Sequence, residues 1–213
     1  MTEPAYRRDR ARLPAAQRRR QIMEATTQLI AERGFWGLSM QDVADRCGLT
    51  VPGLLHHVGS KDGLLVAVLE HRDAEDARSL AELLGVADLA APWTGGELPP
   101  GVSLRQMCAA LVRRNAGQPE IVRLFAVLEA ESLAPSHPAH DYFAARQEHI
   151  LAVFTALAKD VTDEPHALAR QLVAMMDGLQ IQWLRAPRTN DLVQAWEDAA
   201  QVLFADQDVT GLS

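Results

Sequence analysis

Apolar positions recur three and four residues apart along most of this chain, and strict alternation is absent. From Ala15, the spacing of Ile22, Ala25, Thr26, Leu29 and Ile30 predicts a helix that stops at Gly34, a C-terminal glycine after Arg33. Phe35, Trp36 and Leu38 follow as packing candidates. Ser39 reads as an N-cap, with Asp42 three residues on as an aspartate version of the capping box. The short helix it opens runs through Met40, Val43 and Ala44 to Gly48. Thr50 caps a third helix, with Pro52 in the first turn, where a missing N–H costs little. Leu54, Leu55 and Val58 give that helix an apolar side, and Gly59 ends it. Ser60 caps a fourth, through Leu64, Leu65, Val68 and Leu69 towards Leu84.

Residues 85–102 are rich in Gly and Pro, a connection long enough to be functional or mobile. Beyond it the spacing predicts helices near 103–117, 119–134, 138–160 and 164–186, and a last one near 190–205. Pro119, Pro138, Pro165 and Pro187 punctuate them. With abundant Ala and Leu and few β-branched runs, the predicted fold class is all-α.

Charge changes the picture. Residues 1–61 carry ten Lys/Arg against six Asp/Glu, a net of +4; the chain stands at −7, so the remainder carries −11. A basic head on an acidic body can meet a polyanion with the head alone. No apolar run approaches the ~20 residues of a membrane span. The basic N-terminus is not followed by the apolar core of a secretory signal. Cys47 and Cys108 are the only cysteines, so no disulfide framework is expected and a reducing cytoplasm is the default.

Two short helices joined through "CGLT" fit a helix-turn-helix, whose second helix lies in a major groove. The run "ATTQLIAERGFWGLSMQDVADRCGLTVPGLLHHVGSKDGLL", Ala25 to Leu65, resembles the three-helix DNA-binding head and linking-helix start of the TetR family of bacterial transcriptional regulators. "MMDGLQIQWLRAP", Met175 to Pro187, is similar to the penultimate helix of many members. The resemblance implies a basic arm over 1–14, a helix-turn-helix domain over 15–60 and a helical ligand-binding and dimerisation domain over 61–213. It also implies a double-stranded DNA operator, a small-molecule effector, a homodimer and no cofactor. Repression is the family's commoner mode.

Departures from the family pattern bear on DNA reading. Leu55 stands where many members carry a tyrosine that reaches a phosphate, and Val58 where a phenylalanine is usual. Val51, Pro52 and Gly53 replace a more polar opening of the recognition helix, leaving thymine-methyl contact and close backbone approach in place of bidentate bonds. Ser39 and Thr50 mark helix N-termini that favour phosphate. Lys61 is the best single phosphate contact; Gln41 and Arg46 are candidate backbone clamps. One of His56 and His57 faces the DNA, and the sequence does not choose between them. The arginines from Arg7 to Arg20 are candidates to track phosphates or enter the minor groove.

In the body, Leu168, Leu172, Met176, Leu179 and Trp183 form one apolar stripe, and Leu192, Val193, Trp196, Ala200, Leu203 and Phe204 another. Either closes a monomer's core; a tryptophan on each and the two-fold symmetry of operators favour pairing through residues 164–205. By the resemblance, the ligand pocket draws on Met107, Cys108, Leu111, Phe125, Leu128, Phe143, Phe154 and Met175. Asn115, Glu129, Gln147 and Gln180 are its polar handles. "HPAHD", with His137, His140 and Asp141, reads as a helix start with a capping Asp rather than a metal site. No phosphate-binding glycine loop or nucleophile elbow is present, so the expected role is regulatory, not enzymatic. The competing reading is a helix-turn-helix head that docks another protein instead of DNA.

Overall fold

The computed structural model describes residues 13–33, 35–86 and 101–204. The arm over 1–12, the predicted stop at Gly34 and most of the 85–102 connection lie outside them. Among the described residues there are nine helices and no strand. They are α1 (Ala15–Arg33), α2 (Met40–Cys47), α3 (Val51–Val58), α4 (Lys61–Leu84), α5 (Leu104–Ala116), α6 (Pro119–Glu131), α7 (His140–Ala158), α8 (Pro165–Arg185) and α9 (Leu192–Leu203). The chain divides into two compact units, one ending at Leu64 and the other starting at Leu65.

The first unit closes on a small core. Ile22, Met23, Leu29 and Ile30 of α1 meet Val43, Ala44 and Cys47 of α2 and Leu54 of α3, with Phe35 and Leu38 buried between α1 and α2. Trp36, grouped with them as a packing residue, is instead 65% exposed, edge-on to Phe35. Two β-branched threonines sit inside α1, and both satisfy their hydroxyls on the preceding turn: Thr26 donates to the Ile22 carbonyl and Thr27 to that of Met23.

The junction after α3 is unusually tight. Gly59 has φ 75° and ψ −65°, and the Ser60 N–H donates across it to the Val58 carbonyl at 2.9 Å, a three-residue γ-turn. Ser60 Oγ then accepts the Gly63 N–H at 2.9 Å and caps α4. Gly63 is required by proximity, since a Cβ there would stand 2.6 Å from the Val58 carbonyl oxygen.

The second unit packs α7 along α8 and α5 against α9, with α8 also touching α6 and α9. Its core takes Leu104, Met107 and Cys108 from α5, Phe154 from α7, and both predicted stripes. Trp183 is 8% exposed and Trp196 3%, so the stripes expected to pair two subunits are spent on the chain's own interior. An amphipathic pattern identifies an apolar face; it does not say which neighbour covers it. The small and apolar residues that α8 and α9 turn outward, among charged and polar ones, are others: Ala167, Ala174, Met175, Gly178 and Ile181 on α8, and Val202 on α9.

The "HPAHD" segment is a turn. His137 is buried and its Nδ1 accepts the Ala139 N–H, while the His140 ring meets the Ser132 carbonyl at 2.7 Å. Ala139, not an acidic residue, occupies the N-cap of α7; Asp141 stands in the first turn and makes no cap bond, contrary to the expected capping role.

Gly59→Ala is expected to destabilise the chain by about 1–3 kcal/mol, because an L-residue is strained at that φ. Urea unfolding followed by circular dichroism checks it, and an unchanged midpoint would remove the γ-turn as a constraint.

Candidate functional site

Two separate features have the makings of a site, one in each unit. In the first unit, α2 and α3 are joined by Gly48 in the left-handed conformation, with Leu49 and Thr50 completing the turn. Thr50 Oγ1 accepts the Gly53 N–H at 3.2 Å, and Pro52 lies in the first turn. No acidic residue occupies that turn, so the positive end of α3 is electrostatically open.

The N-terminus of α2 differs. Ser39 Oγ accepts the Asp42 N–H at 3.1 Å, and the Asp42 carboxylate accepts the Ser39 N–H at 3.0 Å, a reciprocal box. The Ser39 hydroxyl also donates to that carboxylate, and Arg33 pairs with it at 3.1 Å. These bonds, led by that of the Ser39 side chain, hold the Asp42 carboxyl below the usual range. An anion at Ser39 would meet a carboxylate already in place, so Thr50 offers the freer helix end.

The remaining candidates on this face are placed as follows. Gln41 donates to Asp45 at 2.7 Å, and Arg46 pairs with Glu32 at 3.4 Å. Lys61 holds its Nζ over the Phe35 ring, 4.8 Å from the centroid. Such exposed pairs are worth about 0–1 kcal/mol and yield readily to a phosphate. His56 is exposed and His57 half-buried, their rings edge-to-face, so the structure turns His56 outward. Pro52 and Leu55 are exposed beside it, with Val51 and Gly53 half-buried. Arg18 and Arg20 belong to α1: Arg18 reaches the Cys47 carbonyl at 3.4 Å and Arg20 pairs with Glu24.

In the second unit a cavity of about 350 Å³ opens among α4 to α8. Among the predicted ligand residues, Met107, Leu111, Asn115, Phe125, Glu129, Gln147 and Gln180 line it. Phe143 does not; it is buried behind Phe125, edge-on with centroids 6.1 Å apart. Met175 does not either, being 37% exposed on the opposite side of α8. Its neighbour Met176 takes the inward place, because adjacent helical residues point about 100° apart. Phe154 lines the cavity, whereas Cys108 and Leu128 are core; burial pushes the Cys108 thiol up to about 12.

The charged part of the lining went unread: Asp76, Arg114, Arg146 and Asp177, with Gln118. Asp76 meets Arg72 at 3.5 Å, Arg114 at 3.7 Å and the Gln118 amide at 3.2 Å. Arg72 also donates to Gln118 at 2.8 Å and to Glu75 at 3.0 Å. Asp73 accepts from Arg146 at 3.3 Å and from the Tyr142 hydroxyl, and Arg146 lies over the Phe125 ring. Burial raises the Asp73 carboxyl and the Tyr142 phenol, and lowers Arg114. Asn115 donates to Gln180 at 2.8 Å, and Gln180 in turn donates to Asp177 at 3.5 Å. Asp177 keeps one side in water, yet its carboxyl is pushed up to about 6, by desolvation first and by the Glu129 charge second. A sequence signal existed in part: Asp73 and Asp76, three apart on the buried side of a long helix, call for internal cations.

A raised acid binds its proton more tightly in the folded chain, so its cost to stability appears as pH climbs from the ordinary aspartate range through about 6. Asp177→Asn is therefore expected to raise the thermal midpoint above about pH 7, and to raise it less towards about pH 4. Thermal unfolding at both pH values checks this; an equal gain at each would assign the effect to packing.

Comparison with known proteins agrees with this two-part arrangement. The family model described as bacterial regulatory proteins, tetR family, matches residues 22–68, the span from α1 into α4. The HTH-type transcriptional regulator BetI of Paraburkholderia phymatum is 27% identical over 183 residues, 82% of this chain and 83% of that protein. A transcriptional regulator of Saccharomonospora viridis, solved in complex with choline, superposes with a TM-score of 0.66 at 21% identity, over 87% of this chain and 96% of that one. The regulator FadR of Bacillus subtilis, solved with stearoyl-CoA, gives 0.66 at 13% identity, over 87% and 97%. The head of this chain, residues 22–68, thus matches the tetR family of bacterial regulatory proteins, and the chain shares its helical fold with such regulators over most of its length.

Proposed function

We propose that the chain is a cytoplasmic, homodimeric repressor that leaves its DNA operator when a small molecule fills the cavity. The observation that carries this is the pairing of an electrostatically open recognition helix, α3, with a helical body that encloses a mostly apolar cavity of about 350 Å³. Thr50, His56 and Lys61 supply the phosphate and backbone contacts, and Val51, Pro52 and Leu55 the apolar reading of base edges. Ser39, Gln41, Arg46, Gly53 and His57 support that face. Sequence preference then rests more on shape and methyl contact than on bidentate bonds.

The cavity communicates through α4. Asp76, on that helix, is held by Arg114 and Gln118, which also line the cavity, so a ligand that moves either one pulls on α4. That helix begins at Lys61, directly after the γ-turn that ends α3. Neighbours of the fold hold ligands as unlike as choline and stearoyl-CoA, which supports an effector role for the cavity while leaving its ligand to the lining of each protein.

Pairing uses the outward faces of α8 and α9 within residues 164–205. Ala167, Ala174, Gly178 and Ile181 recur at spacings of seven, four and three along α8, a narrow seam of small and apolar residues open to solvent. One patch used twice gives a closed two-fold dimer and two DNA-binding heads.

Two outcomes test this reading. Lys61→Ala should weaken binding to all duplexes alike and flatten the salt dependence by roughly one unit of log–log slope. Fluorescence-anisotropy titrations across salt read it, and an unchanged slope in the folded variant removes Lys61 from the interface. Gly178→Arg meets no atom within 4 Å of its new Cβ inside the chain, so the subunit should fold while the pair separates. An intact dimer in sedimentation would move the interface elsewhere.

A further inference from the structure

The cavity's charges do not cancel, and the imbalance specifies a ligand. Of the two arginines that line it, Arg114 faces Asp76 at 3.7 Å and Arg146 faces Asp73 at 3.3 Å, so each already meets a buried carboxylate. Arg72, behind them, is matched by Glu75 and Asp76. Two lining carboxylates are left over. Glu129, on α6, has no side-chain hydrogen bond or ion pair among the described residues, and Asp177, on α8, accepts one long bond from Gln180 at 3.5 Å. The helices that carry them pack together.

We propose that the cavity takes an organic cation with an apolar body, its positive group seated between Glu129 and Asp177. The inference rests on the cavity being the effector site and names the class of effector. The apolar body has its counterpart in Met107, Leu111, Phe154 and Met176, and the exposed lining residue Leu133 adds an apolar lip. An anion would face both Glu129 and Asp177, with the two lining arginines already beside carboxylates and only Arg146 acting on Asp177 from a distance. A neutral guest would leave the carboxylates to repel each other in a half-dry site, the repulsion that already helps keep Asp177 above its usual range. A cation relieves that repulsion on arrival.

Calorimetric titration of the full chain without DNA, near neutral pH, tests this with benzyltrimethylammonium and the similarly sized anion benzylsulfonate. The ammonium is expected to bind at least about tenfold more tightly. In the Glu129→Gln, Asp177→Asn double variant, shown folded by circular dichroism, the ammonium should lose about tenfold while the sulfonate loses nothing. Equal or tighter binding of the sulfonate by the unsubstituted chain overturns the proposal, as does no ammonium binding at millimolar concentration or an undiminished ammonium affinity in the double variant. Gel shifts with DNA upstream of the coding region keep the two readings apart. A chain that binds the ammonium but no DNA keeps its cation site and loses the regulator. One that binds DNA and prefers the sulfonate keeps the regulator and loses the cation site.

Discussion

Burying a carboxylate in a helical body costs several kcal/mol unless a cation accompanies it, and this chain buries two, Asp73 and Asp76, on one helix. That constraint organises the second unit. Arg146 of α7 comes in to meet Asp73, and Arg114 of α5 to meet Asp76, with Tyr142 and Gln118 completing the bonds. Two helices, α5 and α7, and the turn that leads into α6 are thereby tied to α4 by directional contacts. The cavity lies among these helices, with Asp76, Arg114, Gln118 and Arg146 in its wall. The same pairing consumes the cations, and this is why the remaining lining carries a net negative charge.

Caps and glycines made the fold legible at the level of elements. Ser39, Thr50, Ser60 and Gly48 each act within a few residues, so their chemistry is complete in the sequence, and each holds the place that spacing assigned to it. Apolar periodicity located the later helices within a few residues of their ends for the same reason. What periodicity lacks is the identity of the facing partner. Trp183 and Trp196 carry the pattern of an interface and serve as core, since a stripe reads alike in both settings. Met175 and Met176 are neighbours in sequence and part company because the helix turns between them. The ion pairs of the cavity wall join residues 38 to 73 positions apart, and no local rule reaches so far.

The two helix ends of the DNA-binding head show how similar signals diverge. Both Ser39 and Thr50 are N-caps, yet one faces an aspartate three residues on and the other a glycine. The first end is neutralised from within and gives α2 its stability. The second keeps its field for an incoming anion. Family resemblance alone would have treated the pair as equivalent; the residue at the third helical position separates them.

The γ-turn at Gly59 has a consequence for how this chain tolerates change. Surface connections are ordinarily where a protein absorbs an extra residue most easily. Here the link from α3 to α4 is closed by a bond spanning a single residue, and a side chain at Gly63 would strike the Val58 carbonyl. The joint has no spare length. One residue added there would break that bond and shift Ser60 from the cap of the helix that follows.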